Sequence, residues 1–327
     1  MLGLADAQVW NRDKGAVTPR RSRATADKES QRWLDVATHA GERLAAANSV
    51  TVVSDQESDI YEHFASRPQN VDLLVRARNN RKIETDPEVG GDLLFPFIDG
   101  LPEQSRFRAT IPAAPGRKQR VADLAIRFSP VTLCRPKSAA RDLPKTIDLM
   151  LVDVREVTTP EDSEAIHWRL LTTDEVTNLG QARRIVDLYR MRWAIEEFFR
   201  TLKTGSFNIE DADISDPQTM IKLVAAATIA AVTVMQLVKA RDGTSEQQLA
   251  DVFDPEDQAI LEALSARLEG ATARQKNPHP KNDLGFATWV IARLGGWTGY
   301  YGKPGPKVIG RGLDDFQRIK YGTQLRL

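Results

Sequence analysis

Between Lys28 and Arg76 the chain alternates between helical and extended patterning, and this alternation constrains the fold more than any other feature. Residues 28–47 place Trp33, Leu34, Ala37, Ala40 and Leu44 on one stripe at helical spacing. A short β-branched run, Val50-Thr51-Val52-Val53, follows and reads as a strand buried on both faces. Residues 57–66 read as a short helix and residues 71–76 as a second strand. Helix–strand–helix–strand order is the grammar of an α/β domain, in which strands are buried by helices packed over the sheet.

The pattern then changes. Residues 78–167 hold prolines and candidate strands at 107–112, 120–128, 146–157 and 166–173, with little helical periodicity. This segment reads as a β-rich insertion in the α/β core. Helices return at residues 179–203 and 217–239, then a polar, acidic break spans 242–257. Two or three helices with Gly/Pro turns complete the chain. At the start, residues 2–10 read as a strand whose partners must come later in sequence, followed by a basic, turn-rich loop at 11–27.

Charge excludes a polycation, since 45 Lys+Arg balance 45 Asp+Glu. Local basic patches can still bind nucleic acid. A single cysteine, Cys134, and four scattered histidines exclude a disulfide framework and a Cys-based zinc site within the chain. Any metal must be held by carboxylates, which points to Mg²⁺ or Mn²⁺. The most apolar stretch, residues 223–238, is shorter than the roughly 20 residues a membrane span needs. It reads as the buried helix of a cytoplasmic protein with no membrane partner.

Two patterns carry chemistry. In LYRMRWAIEEFFRTLKTG, Tyr189, Arg192, Glu196 and Lys203 follow one another at spacings of three, four and seven. On a continuous α-helix these offsets fall within roughly 60° of one another. One face then carries an aromatic hydroxyl, two cations and a carboxylate; the plainer reading is a surface helix with ion pairs between neighbouring turns. In SDQESDIY, Asp55 directly follows the strand, at the C-terminal edge where α/β sheets bind ligands. Asp55 could equally cap the helix that follows.

Together these residues resemble the DDE transposases of bacterial insertion sequences, in insertion-sequence family four, which includes transposon five. Its signature Y-x2-R-x3-E-x6-K is matched without a gap, and Asp55-Gln56-Glu57-Ser58-Asp59-Ile60 matches the D-x-E-x-D-I context of that family's second catalytic aspartate. Residues 285–299 (GFATWVIARLGGWTG) resemble its C-terminal dimerisation region. The resemblance implies a ribonuclease-H-like core in two parts, residues 1–77 and 166–241, interrupted by a β-rich insertion at 78–165 and followed by a helical dimerisation region at 242–327. It implies cut-and-paste transposition, in which three carboxylates hold two Mg²⁺ or Mn²⁺ ions for phosphoryl transfer. Asp55 and Glu196 would be two of these ligands. Arg76, Trp168, Tyr189, Arg192 and Lys203 would contact transposon-end DNA, Trp168 as the platform for a flipped base. A tryptophan at the edge of the β core is the plainer reading of Trp168. Arg78, Arg81 and Lys82 extend the basic run beside Arg76, whereas Asp59 and Glu197 read as structural. The partners implied are transposon-end DNA and a second copy of the chain.

In the same comparison, Gly3–Asp13 aligns with G-L-x-x-A-Q-V-W-x-R-D on a later strand of the family core. The family's first catalytic aspartate and its N-terminal DNA-binding domain would then lie upstream of Met1. The expectation is an N-terminally truncated transposase that is inactive as given. Two alternatives stand beside it. One is a non-catalytic regulator that sequesters full-length transposase in mixed dimers. The other is a nuclease of the same fold whose third carboxylate is Asp6 or Asp59.

Overall fold

A computed structural model describes residues 3–6, 31–84, 92–111, 119–158, 164–205, 207 and 209–325. Of the strand expected at 2–10, residues 3–6 are described and carry no strand, and the remainder lies outside the described residues, as does the loop at 11–27. The chain forms two compact units, Ala5–Arg192 and Trp193–Leu327 with the first four residues.

The first unit is a mixed α/β structure. In chain order it contains α1 (Gln31–Arg43), β1 (Thr51–Ser54), α2 (Tyr61–Ala65), β2 (Asp72–Arg76), β3 (Ile83–Glu84), α3 (Leu94–Gly100), β4 (Ser105–Ile111), β5 (Arg120–Cys134), β6 (Thr146–Glu156), β7 (His167–Thr172) and α4 (Leu179–Met191). All seven strands join one sheet in the order β1-β2-β7-β6-β5-β3, with β4 also on β5. Only β1 and β2 run parallel; β7, β6, β5, β4 and β3 pair antiparallel. The β-rich stretch therefore continues the sheet that β1 and β2 begin.

Side-chain alternation gives this sheet two apolar faces. One face carries Leu73, Val75, Val131, Leu133, Leu151 and Leu171, and is covered by Ala37 and Ala40 of α1, Tyr61 and Phe64 of α2, and Leu94 and Ile98 of α3. The other carries Leu74, Leu124, Ile126, Val152, Val154 and Leu170 beneath Ala182, Ile185, Val186 and Tyr189 of α4. At roughly 1.5–3 kcal/mol for each fully buried large aliphatic side chain, these two layers supply the main drive to fold. Thr51, Val52 and Val53 are only half-buried, contrary to expectation. The reason is that β1 is the outermost described strand of the sheet.

Strand β5 runs six residues past the expected end and straight through Pro130. Proline cannot donate to a ladder, so it needs a site with no acceptor opposite. On β5 the amides of Phe128 and Cys134 point away from β6, to Gln104 and Lys82. Pro130 shares their parity. On that side β4 covers Arg120–Ile126 and β3 begins only at Thr132, so the proline faces the gap between them.

The second unit is helical: α5 (Trp193–Arg200), α6 (Pro217–Ala240), α7 (Asp257–Leu268), α8 (Leu284–Leu294) and α9 (Pro306–Gln324). Helix α8 is its centre, with Leu284 to Ala292 buried without a break. Helices α8 and α9 approach so closely that a Cβ on Gly312 would lie 1.8 Å from the Ile291 carbonyl oxygen, and one on Gly295 would lie 2.0 Å from that of Val308. The GFATWVIARLGG segment is thus the unit's own packing core. Helix α6 is long and apolar enough to cross a membrane by length and composition, yet 44% of its most apolar window is buried inside the protein. Its last turns, from Val234 to Ala240, pack against α8 and α9, while Ile221 near its start and Ile229 at its middle are exposed. The expectation of a buried helix therefore holds for the last two turns of α6.

Candidate nucleic-acid interface

The site is built at one end of the sheet in the first unit. Ser54 and Val75 form the last pair of the parallel ladder, so Asp55 and Arg76 are the next residues in register. Arg76 pairs with Leu170 on β7 and therefore shares a face with Trp168, two residues earlier on that strand. Tyr189, on the last turns of α4, covers the same face. Its ring lies 5.7 Å from that of Trp168 in an edge-on arrangement, and the Arg192 guanidinium sits 5.8 Å from the Tyr189 ring centre. Thus Asp55, Arg76, Trp168, Tyr189 and Arg192, scattered over 138 positions of sequence, belong to one end of one unit.

Each side chain has a local reason for its place. Asp55 has extended backbone geometry and accepts the Glu57 amide at 2.9 Å, capping the 3₁₀ turn Gln56–Ser58. The capping role that the sequence left open is therefore realised, and it occupies one carboxylate oxygen. Arg76 donates to the His167 carbonyl at 3.1 Å. His167 is held in turn by the fully buried carboxylate of Asp153, which accepts from its Nε2 at 2.8 Å and from Arg155 Nε at 2.9 Å. Trp168 is half-buried, with Tyr189 supporting one edge, whereas Tyr189 itself is only 4% exposed.

The helix expected at 179–203 is interrupted. Helix α4 ends at Met191, Arg192 forms a turn, and α5 starts at Trp193. The two units divide at the same point. Arg192 itself keeps right-handed helical dihedrals, φ −51° and ψ −33°. Glu196 lies in the first turn of α5. Lys203 falls in a π-helical turn, Thr201–Gly205, and pairs with Glu210 at 2.8 Å.

The basic run beside Arg76 divides. Arg81 is buried in an ion pair with Asp59 at 2.7 Å, and Lys82 pairs with Asp92 at 3.4 Å. Arg78 is exposed. Asp153 and His167 were not singled out from the sequence. Their signal was an aspartate inside the apolar run Leu149–Val154, a burial that requires a cationic partner.

A profile of the transposase DDE domain family matches residues 28–232, well over half of the chain. The chain belongs to this family. The match spans the whole sheet, α4, α5 and the first part of α6. DDE transposase domains typically use divalent metal ions and act on DNA at transposon ends. Among the described residues of this transposase domain, no three His, Cys, Asp or Glu side chains come together as a metal-binding group.

Proposed function

We propose that this chain engages transposon-end DNA of an insertion sequence through the sheet end that carries Asp55, Arg76, Trp168 and Arg192. The convergence of these residues in one unit, from four separate elements, is the observation that carries the reading. Arg76 and Arg192 bring positive charge to a half-open aromatic platform. Guanidinium contacts to phosphates position DNA without reading its sequence. Trp168, stacked at its edge by Tyr189, offers a ring face to an unstacked base. Tyr189 is buried behind it, so it serves by holding the tryptophan.

Asp55 and Glu196 remain the carboxylates assigned to phosphoryl transfer. Asp55 already caps a turn with one carboxylate oxygen, and we propose that the chain binds such DNA without cutting it. The test is a gel assay on a fluorescent duplex bearing the terminal inverted repeat that flanks the gene, with Mg²⁺ or Mn²⁺. A retarded complex and intact strands are expected. No retardation overturns the binding reading, and nicked or joined strands overturn the reading of inactivity.

A further inference from the structure

We infer that Asp59 is a positioning residue: it clamps the loop after β2 against the turn that carries Asp55, and so presents Arg78 as a phosphate contact beside Arg76. This inference rests on the DNA-binding reading above. The Asp59 side chain is fully buried. Its Oδ2 accepts the backbone amides of Arg78 and Asn79, both at 2.8 Å, and Asn79 Nδ2 at 3.1 Å. Its Oδ1 accepts Arg81 Nε at 3.0 Å and Nη2 at 2.7 Å. The Asp59 carbonyl takes two further bonds, from Asn79 Nδ2 at 2.9 Å and Arg81 Nη2 at 2.6 Å.

A buried carboxylate with one buried guanidinium would serve as a plain structural ion pair. Two features go beyond that. First, two of the bonds go to consecutive backbone amides, which fixes the path of the loop rather than one side chain. Second, Arg78, the residue so fixed, is exposed, and no described residue pairs with its guanidinium. The clamp is also tied to the Asp55 turn. Asp59 N donates to Gln56 O within that turn, and the Ser58 hydroxyl donates to Asp55 O at 2.9 Å. One five-residue segment thus holds a half-exposed carboxylate at its start and, at its end, a buried carboxylate that sets the position of a cation.

The test measures fluorescence anisotropy of a 30-base-pair mixed-sequence duplex with the full chain from about 50 to 200 mM KCl. Each phosphate contact contributes about 0.9 to the slope of log affinity against log salt. Arg78→Ala is expected to weaken binding and to reduce that slope by about one. Asp59→Asn is expected to reduce it by the same amount, and the double variant by no more than either alone. If Asp59→Asn does not fold, Asn79→Ala, at an exposed position, removes part of the clamp and is expected to give part of the slope change. A merely structural Asp59 would lower the melting temperature and leave the slope untouched. Binding with the wild-type slope in Arg78→Ala, Asp59→Asn or Asn79→Ala overturns this inference alone. No binding by the wild-type chain overturns the functional reading and this inference with it.

Discussion

Gly312→Ala should unfold the helical unit at a markedly lower temperature, although glycine to alanine inside a helix normally stabilises by about 1 kcal/mol. The added methyl would sit 1.8 Å from the Ile291 carbonyl oxygen and 2.9 Å from the Gly295 amide nitrogen. Both are backbone atoms, so no rotamer change relieves the clash. Helices α8 and α9 must separate, and α8 is buried from Leu284 to Ala292, so the separation loosens the centre of the unit. Overpacking of a tight core costs about 1–3 kcal/mol and sometimes more; a clash with backbone belongs at the upper end. Subtracting the propensity gain leaves a net loss of about 2 kcal/mol. At about 4 °C per kcal/mol for a unit of about 135 residues, the transition should fall by about 8 °C. Gly322→Ala is the control on the same helix. Nothing lies within 4 Å of its Cβ position, so this variant should be neutral or slightly stabilising. Differential scanning calorimetry of both variants measures the shifts. Equal melting of the two would refute the close-packed crossing.

Two further outcomes follow from the sheet unit. Burial holds the His63 imidazole down to about 4, against the raising effect of the hydrogen bond it donates to the Ser58 carbonyl. The unfolded chain therefore binds the extra proton between about pH 6.5 and 4. The His63 contribution should be full above pH 6.5 and fall by roughly 3 kcal/mol as pH drops through that window; urea titrations should show a steeper loss in wild type than in His63→Gln, which keeps the contributions of His279, Asp99 and Glu156. Trp168→Ala should weaken binding to the inverted-repeat duplex by about five- to 150-fold, the equivalent of about 1–3 kcal/mol for stacking of a base on an aromatic ring. Trp168→Phe should recover part of it in the same anisotropy titration.

The sequence made some elements legible and hid others, for physical reasons. Strands β1, β2, β4, β6 and β7 were readable because strands with an apolar face, or two, leave a local apolar pattern. Helix α3 was not, since LFPFIDG is seven residues with a proline in the middle and no amphipathic repeat. The end of β5 was misplaced because Pro130 reads as a stop, and only the gap between β3 and β4 makes it acceptable. The break at Arg192 has no glycine or proline to announce it. At the candidate site, residue types and spacing pointed to Asp55 and the Tyr189 segment, and the resemblance to DDE transposases added Arg76 and Trp168. The supporting layer was invisible because its partners are distant in sequence: Asp59 reaches Arg81 across 22 residues and Asp153 reaches His167 across 14. Asp59 read as structural; its two bonds to backbone amides and the exposed Arg78 they fix distinguish it from an ordinary buried pair.

The most direct test of the DNA-facing sheet end is photo-crosslinking of the full chain to an inverted-repeat duplex carrying 5-iodouridine near its terminus, followed by peptide mass spectrometry. The expected adduct is on Trp168, in a peptide from β7, and it should disappear in Arg76→Ala. Adducts confined to the helical unit, or a Trp168 adduct insensitive to Arg76, would contradict the assignment of this end of the sheet to DNA.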